Sequence, residues 1–482
     1  MLSFDNTKVL LEDFFLRDLL PAADVPIDND FDNDIYCTNL DFLGMEVVEN
    51  EILQVEDVLG IIATAPVVLD GRGRGPRKKP RTRDPYQSLF YLKYIQEAEE
   101  AMALDDQDGT IWDTTSSDGK TFRRRFGLPY STFHMVYLDW RRHGEYRAQQ
   151  DRAGRNRVDS RILLLGCFRA LAKGTTFDGI EELTDVSVSH IHSFFVKFIA
   201  WFYSHYHTTW IVFPATTEQV VHVESRYAGL GLPGCLGSVD CVHVGWDMCP
   251  GGFNSDCIGK EGYPTLAFQV IVSHSRRILA VTQSFFGTWN DKTIVKFDDK
   301  VKQLRVLPFY TNYYWQLLQS NGDLMVQKGL YLICDGGYHQ WQTLIPPYKH
   351  QIEGTAQYGW SKHVESLRKD VECTFGILKK RFSILKLRAR LHSKELIEDI
   401  FRCCCILHNM NHDFDGYDAR DMNNANPRNQ AQARDQETLE ADFVHALHEL
   451  QERERFILRR ELLIDHFQYC RSQGVDFNSA GH

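Results

Sequence analysis

Apolar runs of strand length dominate the chain across residues 231–345. Four of these runs are bounded by polar or glycine-rich turns: CLGSVDCVHVGW, TLAFQVIVSH, ILAVTQSFFG and GLYLICDGGY. The basic turn Ser275-Arg276-Arg277 joins the second run to the third. NDKTIVKFDD then predicts a short helix, opened by Asn290 and Asp291. Together with the helical patterns on either side, these runs predict an α/β fold with a mixed sheet flanked by helices.

Helical patterns lie on both sides of the strands. Asp159 is placed to cap a helix that ends at Gly174. Residues 177–203 predict two helices with a tight turn, which is helix-turn-helix spacing, and Ser187 is a ready N-cap for the second helix. After the strands, VECTFGILKKRFSIL carries apolar residues at intervals of four, three, four and three, which predicts another helix.

The second helix of that pair is a candidate DNA-reading element. It would present Ser189, His190 and His192 on its outer face, where such side chains can meet base edges. The same spacing also occurs in plain helical bundles. The pattern by itself therefore leaves base reading and simple packing as equal alternatives.

The patterns divide the chain into six segments. In order, these are a weakly ordered acidic arm, a basic linker, a helical region that is a candidate for DNA binding, the strand-rich domain, a polar linker and a C-terminal helix: residues 1–70, 71–84, 85–215, 216–412, 413–437 and 438–470. Alternatively, the acidic arm is a segment that interacts with a partner. The last helix is expected to pack on the body or to pair with another chain.

Composition indicates a globular protein with reduced thiols. Apolar residues make up 43% of the 482 positions, and no apolar run approaches the ~18–20 residues of a membrane span. The N-terminus lacks the basic stretch of a signal peptide, which predicts an intracellular protein. The 12 cysteines form no CxxC pair, so neither a disulfide framework nor a structural zinc is expected.

The net charge of −11 is unevenly distributed. Residues 1–70 carry most of the acidic excess, and the remainder of the chain is slightly basic and compatible with a nucleic-acid partner. PRKKPRTR, within residues 71–84, is the kind of cluster that nuclear import receptors bind, and it predicts a nuclear protein. The same cluster suits DNA phosphates, or is simply a solvated linker.

Three acidic residues stand out by their positions beside apolar runs, where a charged side chain is costly to bury unless it is paired or binds a metal ion. Asp240 lies inside the first apolar run, Asp335 ends a later one, and Glu372 lies on the helix that follows. Carboxylates brought together in this way suit two hard divalent cations, which can activate water for phosphodiester cleavage. The alternative is chance, because the chain has 65 acidic residues. His243 lies three residues beyond Asp240 on the strand, so it is expected to face the other way and to be structural.

The helix that carries Glu372 is rich in positive charge. From Arg368 to Lys394 there are nine Lys or Arg residues against two acidic ones. Because the apolar neighbours face the core, the charges are expected to face outward, where a phosphate backbone can bind. The candidates are Arg368, Lys379, Lys380, Arg381 and Arg388. A solvated helix face is the competing interpretation.

The chain resembles the PIF/Harbinger transposases and their domesticated nuclease relatives. The resemblance rests on five motifs in order, across roughly residues 120–465: GSVDCVHVGW, GTWNDKTI, LICDGGYHQW, VECTFGILKKRFSIL and CCCILHNM. It implies an RNase H-like DDE catalytic domain that cuts DNA with Mg²⁺ or Mn²⁺, preceded by the helical, helix-turn-helix-like region. Departures such as Cys241, Val242 and His339 do not touch the acidic positions.

The resemblance also assigns roles to individual residues. It implies Asp240, Asp335 and Glu372 as catalytic metal ligands and Asp291 as a further ligand, for which a helix N-cap is the alternative. The implied activity is cutting of transposon ends followed by strand transfer into target DNA. A Myb-like DNA-binding partner and a homo-oligomer are possible partners in this scheme.

Two other functions stay open. A domesticated descendant would keep the fold as a DNA-binding or scaffold protein without transposition. A phosphoesterase with a different substrate would use the metals but would leave the basic and helical features unexplained.

Overall fold

A computed structural model of the chain provides the fold of part of the sequence. The described residues are 96, 99–100, 110–143, 158–417, 452–475 and 477. The predicted acidic arm and basic linker therefore lie outside the described residues, as does most of the predicted polar linker. Within the described residues, no helix is long and apolar enough to cross a membrane.

In the described part of the chain, eight strands form two sheets. In chain order they are β1 Cys235–Gly245, β2 Thr265–Val272, β3 Ile278–Val281, β4 Phe285–Phe286, β5 Tyr314–Leu318, β6 Leu324–Lys328, β7 Tyr331–Ile333 and β8 Leu344–Ile345. The main sheet has the order β3-β2-β1-β7-β8, with β4 paired to β2, and β5 and β6 form a separate hairpin. β1, β2 and β3 are antiparallel, whereas β7 and β8 run parallel to β1. The predicted mixed α/β sheet with flanking helices is confirmed.

Fourteen helices are described. They are α1 Thr110–Thr115, α2 Ser117–Phe126, α3 Tyr130–His143, α4 Ser160–Lys173, α5 Phe177–Thr184, α6 Val188–Trp210, α7 Thr217–Gly229, α8 Asn254–Cys257, α9 Asp291–Val295, α10 Asp299–Val306, α11 Pro308–Thr311, α12 Ala356–Arg381, α13 Lys394–Phe414 and α14 Glu452–Ser472. Two short 3₁₀ turns, Gly251–Phe253 and Ser383–Leu385, complete the elements.

The main sheet is buried on both faces. β2 is buried at every position, which explains why its sequence is continuously apolar rather than alternating. Val242 and Val244 of β1 pack into a core shared with α12 and with the N-terminal helices. Val239 packs on the opposite side, in a second core that includes α14. Position 237 of β1 requires glycine, because a Cβ there would lie 2.8 Å from the carbonyl oxygen of Val272 on the neighbouring strand.

Helix ends predicted from capping residues are confirmed at α4. The Asp159 side chain accepts a hydrogen bond from the amide of Arg161 at 2.8 Å. The helix ends at Gly174, whose φ of 62° is the left-handed conformation that glycine adopts without strain.

The predicted helix pair of residues 177–203 is also present, as α5 and α6. Asp185, with φ 53°, makes the turn between the helices. Ser187 occupies the N-cap position of α6, as predicted, although its side chain makes no capping hydrogen bond. Ser189 and His190 are exposed, as expected. The inner face of α6 carries several buried aromatic residues that pack in the core shared with α13.

The β5–β6 hairpin and strand β8 were not predicted. The hairpin has a turn signal in Asn321-Gly322, where Gly322 has φ 86°. α12 begins at Ala356, well before the predicted apolar pattern at Val371. α14 packs on β5 and α12, so the described part of the C-terminal helix folds back on the body.

The stacked pair Phe268 and Phe401 provides a test of the core. Their ring centroids lie 4.1 Å apart, and Phe268 is fully buried. Phe268→Ala should lower the free energy of unfolding by about 3–5 kcal/mol, through lost burial and a cavity. Urea unfolding followed by circular dichroism measures this change. Ile352→Ala is the control, because Ile352 is 76% exposed and should change stability little. An equal loss in both variants would contradict the assigned core.

Candidate active site

Two carboxylates meet on adjacent parallel strands. Ser238 of β1 pairs with Ile333 of β7, so continuing that register brings Asp240 opposite Asp335. Asp335 follows the end of β7, and its Oδ1 accepts a hydrogen bond from the amide of Gly337 at 2.6 Å. The structure thus brings together two of the predicted site residues, which lie far apart in sequence.

Asp291 joins them from α9. Asn290 is the N-cap of that helix, since its Oδ1 accepts from the amide of Thr293 at 2.8 Å. Asp291 is therefore the first helical residue and not the cap, so the N-cap alternative for Asp291 is wrong, and its role as a metal ligand stays a prediction. A Cβ on Gly337 would lie 2.8 Å from Asp335 Oδ1 and 3.5 Å from Asp291 Oδ2. Gly337 therefore leaves room for the two carboxylates to approach one another.

The environment of Asp240 opposes its ionisation. The pKa of this carboxyl is raised to about 6, chiefly by burial and in smaller part by the nearby charges of Asp335 and Asp291. The amide of Cys241, which donates to Asp240 Oδ1 at 2.8 Å, and the guanidinium of Arg368 act in the opposite direction. Asp240 is thus a carboxylate whose negative charge is only partly compensated.

Arg368 lies between Asp240 and Glu372. One guanidinium nitrogen is 3.4 Å from Asp240 Oδ2, and another is 2.6 Å from Glu372 Oε1. Burial lowers the pKa of Arg368, but the carboxylates of Glu372 and Asp240 outweigh burial and raise the pKa. Glu372 is itself about half exposed. The guanidinium supplies the positive charge that this acidic group requires.

The donor chemistry fits a hard divalent cation, whereas the spacing in this arrangement does not form a closed ligand set. All four side chains offer carboxylate oxygens, which Mg²⁺ and Mn²⁺ prefer. Among the described residues, however, no group of three or more His, Cys, Asp or Glu side chains is gathered closely enough to hold a metal ion. The position between Asp240 and Glu372 is held by the Arg368 guanidinium.

Cys241, which follows Asp240 on β1 and contacts Asp291, belongs to a polar group that was not predicted from the sequence. Cys241 Sγ lies 3.6 Å from the Tyr338 hydroxyl and 3.9 Å from Gln269 Oε1. Gln269 donates in turn to the buried Asp298. Tyr338 directly follows Asp335-Gly336-Gly337, so the motif itself was the available signal. His243 hydrogen bonds to Thr265 Oγ1 at 3.0 Å, which agrees with the structural role predicted for it.

The five basic candidates do not share one exposed face. Lys380 and Arg388 are exposed, and the Arg388 guanidinium stacks over Tyr263 at 3.9 Å. Lys379 donates to the carbonyl oxygen of His243 at 3.0 Å. Arg381 turns towards Asp415, at 3.8 Å. The expectation that all these charges face outward is therefore wrong for Lys379 and Arg381, as it is for the inward-turned Arg368.

The region that holds these acidic residues is similar to known proteins. Residues 214–418, which contain all four acidic positions, match the family described as "Plant transposon protein". No solved structure matches the chain at a significant level.

Several curated proteins are similar to the same region. The human protein named "Putative nuclease HARBI1" is 24% identical over 260 residues, covering 53% of this chain and 66% of its own. The rat protein of that name is 24% identical over 203 residues, covering 42% of this chain and 52% of its own. An Arabidopsis thaliana protein named "Protein ALP1-like" is 21% identical over 313 residues, covering 61% and 71%. The chain spans about half to two thirds of the length of these HARBI1 relatives.

The segment that matches a transposon protein family holds a mixed α/β sheet with Asp240 inside its central strand and Asp335 just past the end of the neighbouring strand. The relatives confirm the resemblance seen in the motifs. Residues 214–418 are similar to Harbinger-type, transposase-like proteins, and the curated relatives that share this similarity include proteins named as putative nucleases.

The raised pKa of Asp240 predicts a pH-dependent effect on stability. The folded-state pKa of about 6 exceeds the ordinary value of 3.8, so stability is lost as the pH rises between those values. Asp240→Asn removes this loss. In metal-free buffer, the variant should gain up to about 3 kcal/mol over the wild type between pH 4 and pH 7. Urea unfolding across this pH range measures the difference, and a pH-independent difference would contradict the assigned environment.

Proposed function

We propose that this protein is a divalent-metal-dependent nuclease acting on DNA, a transposase that hydrolyses phosphodiester bonds at transposon ends and joins those ends to target DNA. The observation that carries the proposal is the meeting of Asp240 and Asp335 on adjacent parallel strands, with Asp291 across Gly337 and Glu372 linked through Arg368. Burying several carboxylates close together lowers the stability of a fold unless a cation compensates their negative charge.

The strand order supports the RNase H-like part of the proposal. Three antiparallel strands, β1 to β3, are followed along the sheet by the parallel strands β7 and β8. The acidic residues come from the central strand, from the end of its parallel neighbour and from a helix that packs on the sheet. This placement is consistent with the DDE assignment of Asp240, Asp335 and Glu372.

Asp240, Asp335, Glu372 and Asp291 would hold Mg²⁺ or Mn²⁺. A bound pair of such ions supplies an activated water and stabilises the leaving oxygen. The protein's own contribution is positional. Asn290 caps α9 so that the Asp291 carboxylate is not used as a cap, and the Gly337 amide orients the Asp335 carboxylate. β1 fixes Asp240 within the sheet, where water is largely excluded.

DNA would be held by basic and helical surfaces outside this group. Ser189 and His190 on α6 are exposed next to the tight turn, which supports the helix-turn-helix interpretation. We extend the proposal to a nuclear location on the basis of PRKKPRTR, which lies outside the described residues. A Myb-like partner for recognition of transposon ends and a homo-oligomer belong to the same proposal.

A second candidate function is a domesticated DNA-binding or scaffold protein that no longer cuts. The contact that favours it is the Arg368 guanidinium, which neutralises Asp240 and Glu372 without a metal ion. A permanent ion pair of this kind would leave the fold stable and the site inactive.

Cleavage of DNA tests the proposed nuclease. With Mg²⁺ or Mn²⁺, the full chain should nick or cut DNA carrying the element's terminal repeats. Asp240→Ala should lower the cutting rate by at least about a hundredfold, because several kcal/mol of transition-state stabilisation are lost. DNA binding should be retained.

Asp299→Ala is the matched control for that experiment. Asp299 is 82% exposed on α10 and pairs only with the neighbouring Lys302 in the described part of the chain. It should cut as the wild type does. A wild-type protein that binds DNA but never cuts, even with its partner, would favour the scaffold function instead.

The role of Arg368 distinguishes the two functions in a second way. If a metal ion and the guanidinium compete for the same carboxylates, Arg368→Gln should bind Mn²⁺ at least several-fold more tightly than the wild type. Isothermal titration calorimetry without DNA measures this affinity. Lys362→Gln, an exposed change on the same helix, is the control. Equal or weaker binding by Arg368→Gln would show that the guanidinium does not compete with a cation there.

A further inference from the structure

A second basic surface lies away from the carboxylates, between α2, the end of α4 and the last turns of α12. We call it the α2–α12 cleft. It is open, encloses about 620 Å³, and includes Gly127 in its lining. Its cationic lining residues come from all three helices: Lys120, Arg123, Arg124, Lys173, Lys380 and Arg381.

The negative charge around this cleft is already in use. Asp113, the acidic lining residue, is buried and accepts hydrogen bonds from the amides of Tyr130 and Ser131 and from the Ser131 hydroxyl. Asp415 pairs with Arg123 at 2.7 Å and with Arg381 at 3.8 Å. These two carboxylates leave most of the positive charge uncompensated.

Four of the cations have no carboxylate partner within the described residues. They are all exposed and reach the cleft from different helices: Lys120, Arg124, Lys173 and Lys380. The positive charges also oppose one another. Burial, and then the charges of Arg169 and Arg124, lower the pKa of Lys173. Like charges held together in this way create a positive potential that an anion would relieve.

The cleft is connected to the candidate active site by a single rigid element. Glu372 and Lys380 lie eight residues apart on α12, which is about 12 Å along a helix axis. Gly376 lies between them, is exposed and has open space where a side chain would project. A ligand can therefore follow α12 from one site to the other without obstruction by a side chain at that position.

An extended polyanion suits this layout better than a small one. The cleft is an open groove rather than an enclosed cavity, and its cations are spread over three helices. Duplex DNA rises about 3.4 Å per base step along each strand, so about 12 Å corresponds to three or four base pairs. The separation along α12 therefore matches a short stretch of duplex.

We propose that the α2–α12 cleft binds the phosphate backbone of duplex DNA three or four base pairs from the bond held next to Asp240 and Glu372. The proposal rests on the proposed function for its substrate. It assigns Lys120, Arg124, Lys173 and Lys380 as backbone contacts, and it places Arg123 and Arg381 as the supporting charges that Asp415 holds in position.

Salt-dependent binding tests the cleft without requiring cutting. The triple variant Arg124→Gln, Lys173→Gln and Lys380→Gln is compared with the wild-type full chain in EDTA, by fluorescence anisotropy on duplex DNA with the terminal repeat. Each lost phosphate contact lowers the slope of log K against log salt by about 0.9, so the slope should fall by about 2–3. Affinity at low salt should fall about tenfold or more.

A matched triple variant controls for the loss of three charges. Arg142→Gln, Lys302→Gln and Lys362→Gln remove exposed cations outside the cleft, and each of these cations pairs with an acidic residue on its own helix. This variant should keep the wild-type slope. Thermal unfolding of both triple variants checks that they fold. Equal slopes for the cleft variant and the wild type would overturn the proposal.

Phosphate ethylation interference then tests the position. Modified phosphates three or four base pairs from the cleavage position should block the wild type but not weaken the cleft variant further. Interference only at other phosphates would overturn this placement of the cleft on the DNA.

The results also separate the cleft proposal from the proposed function. If the wild type binds DNA through the cleft but never cuts it, the nuclease function alone is wrong. If the wild type cuts DNA and the cleft variant binds DNA as the wild type does, the cleft proposal alone is wrong. If the wild type binds no DNA, both are wrong.

Discussion

The cost of ionising Asp240 inside the sheet is the constraint on which the site depends. β1 is covered on both faces, so a carboxylate in it cannot be solvated as it would be on the surface. Asp335 and Asp291 add negative charge, and Arg368 offsets part of it. The elements around β1 supply the charges that act on Asp240. Asp335 follows β7, Asp291 lies on α9, and α12 carries both Glu372 and the Arg368 guanidinium. A fold with no use for a cation would gain stability by losing these charges.

Arg368 sets the charge balance of the site. In the state described, the guanidinium bridges Asp240 and Glu372, and the acidic group is neutralised from within. A divalent ion would have to share or take over these oxygens, and Arg368 would then be available to a phosphate oxygen. The same α12 continues past Gly376 to Lys380, so one helix carries Glu372, its counter-charge and part of the basic cleft. In the proposed function, this helix would join the cutting site to the surface that positions DNA.

Much of the fold could be predicted from local patterns. The strands β1, β2, β3 and β7 follow from apolar runs, and the ends of α4 follow from Asp159 and Gly174, because capping is decided within a few residues. Side-chain direction could not be predicted so well. Lys379 and Arg381 turn inward because the carbonyl of His243 and the carboxylate of Asp415 come from distant parts of the chain. The β5–β6 hairpin packs against α14. Its two short strands were not predicted, although Asn321-Gly322 is a turn signal between them.

The sequence by itself determined the resemblance to Harbinger-type transposases and pointed to the four acidic positions, since five motifs in order carry chemical information that needs no coordinates. Only the tertiary structure decided how they meet. Parallel pairing of β1 with β7 sets Asp240 opposite Asp335, and Asn290 takes the cap that Asp291 might otherwise fill. The basic cleft is likewise a tertiary product, because α2, α4 and α12 contribute cations separated by up to about 260 positions in the sequence. Charge acts through space, and spatial proximity is fixed by packing rather than by order along the chain.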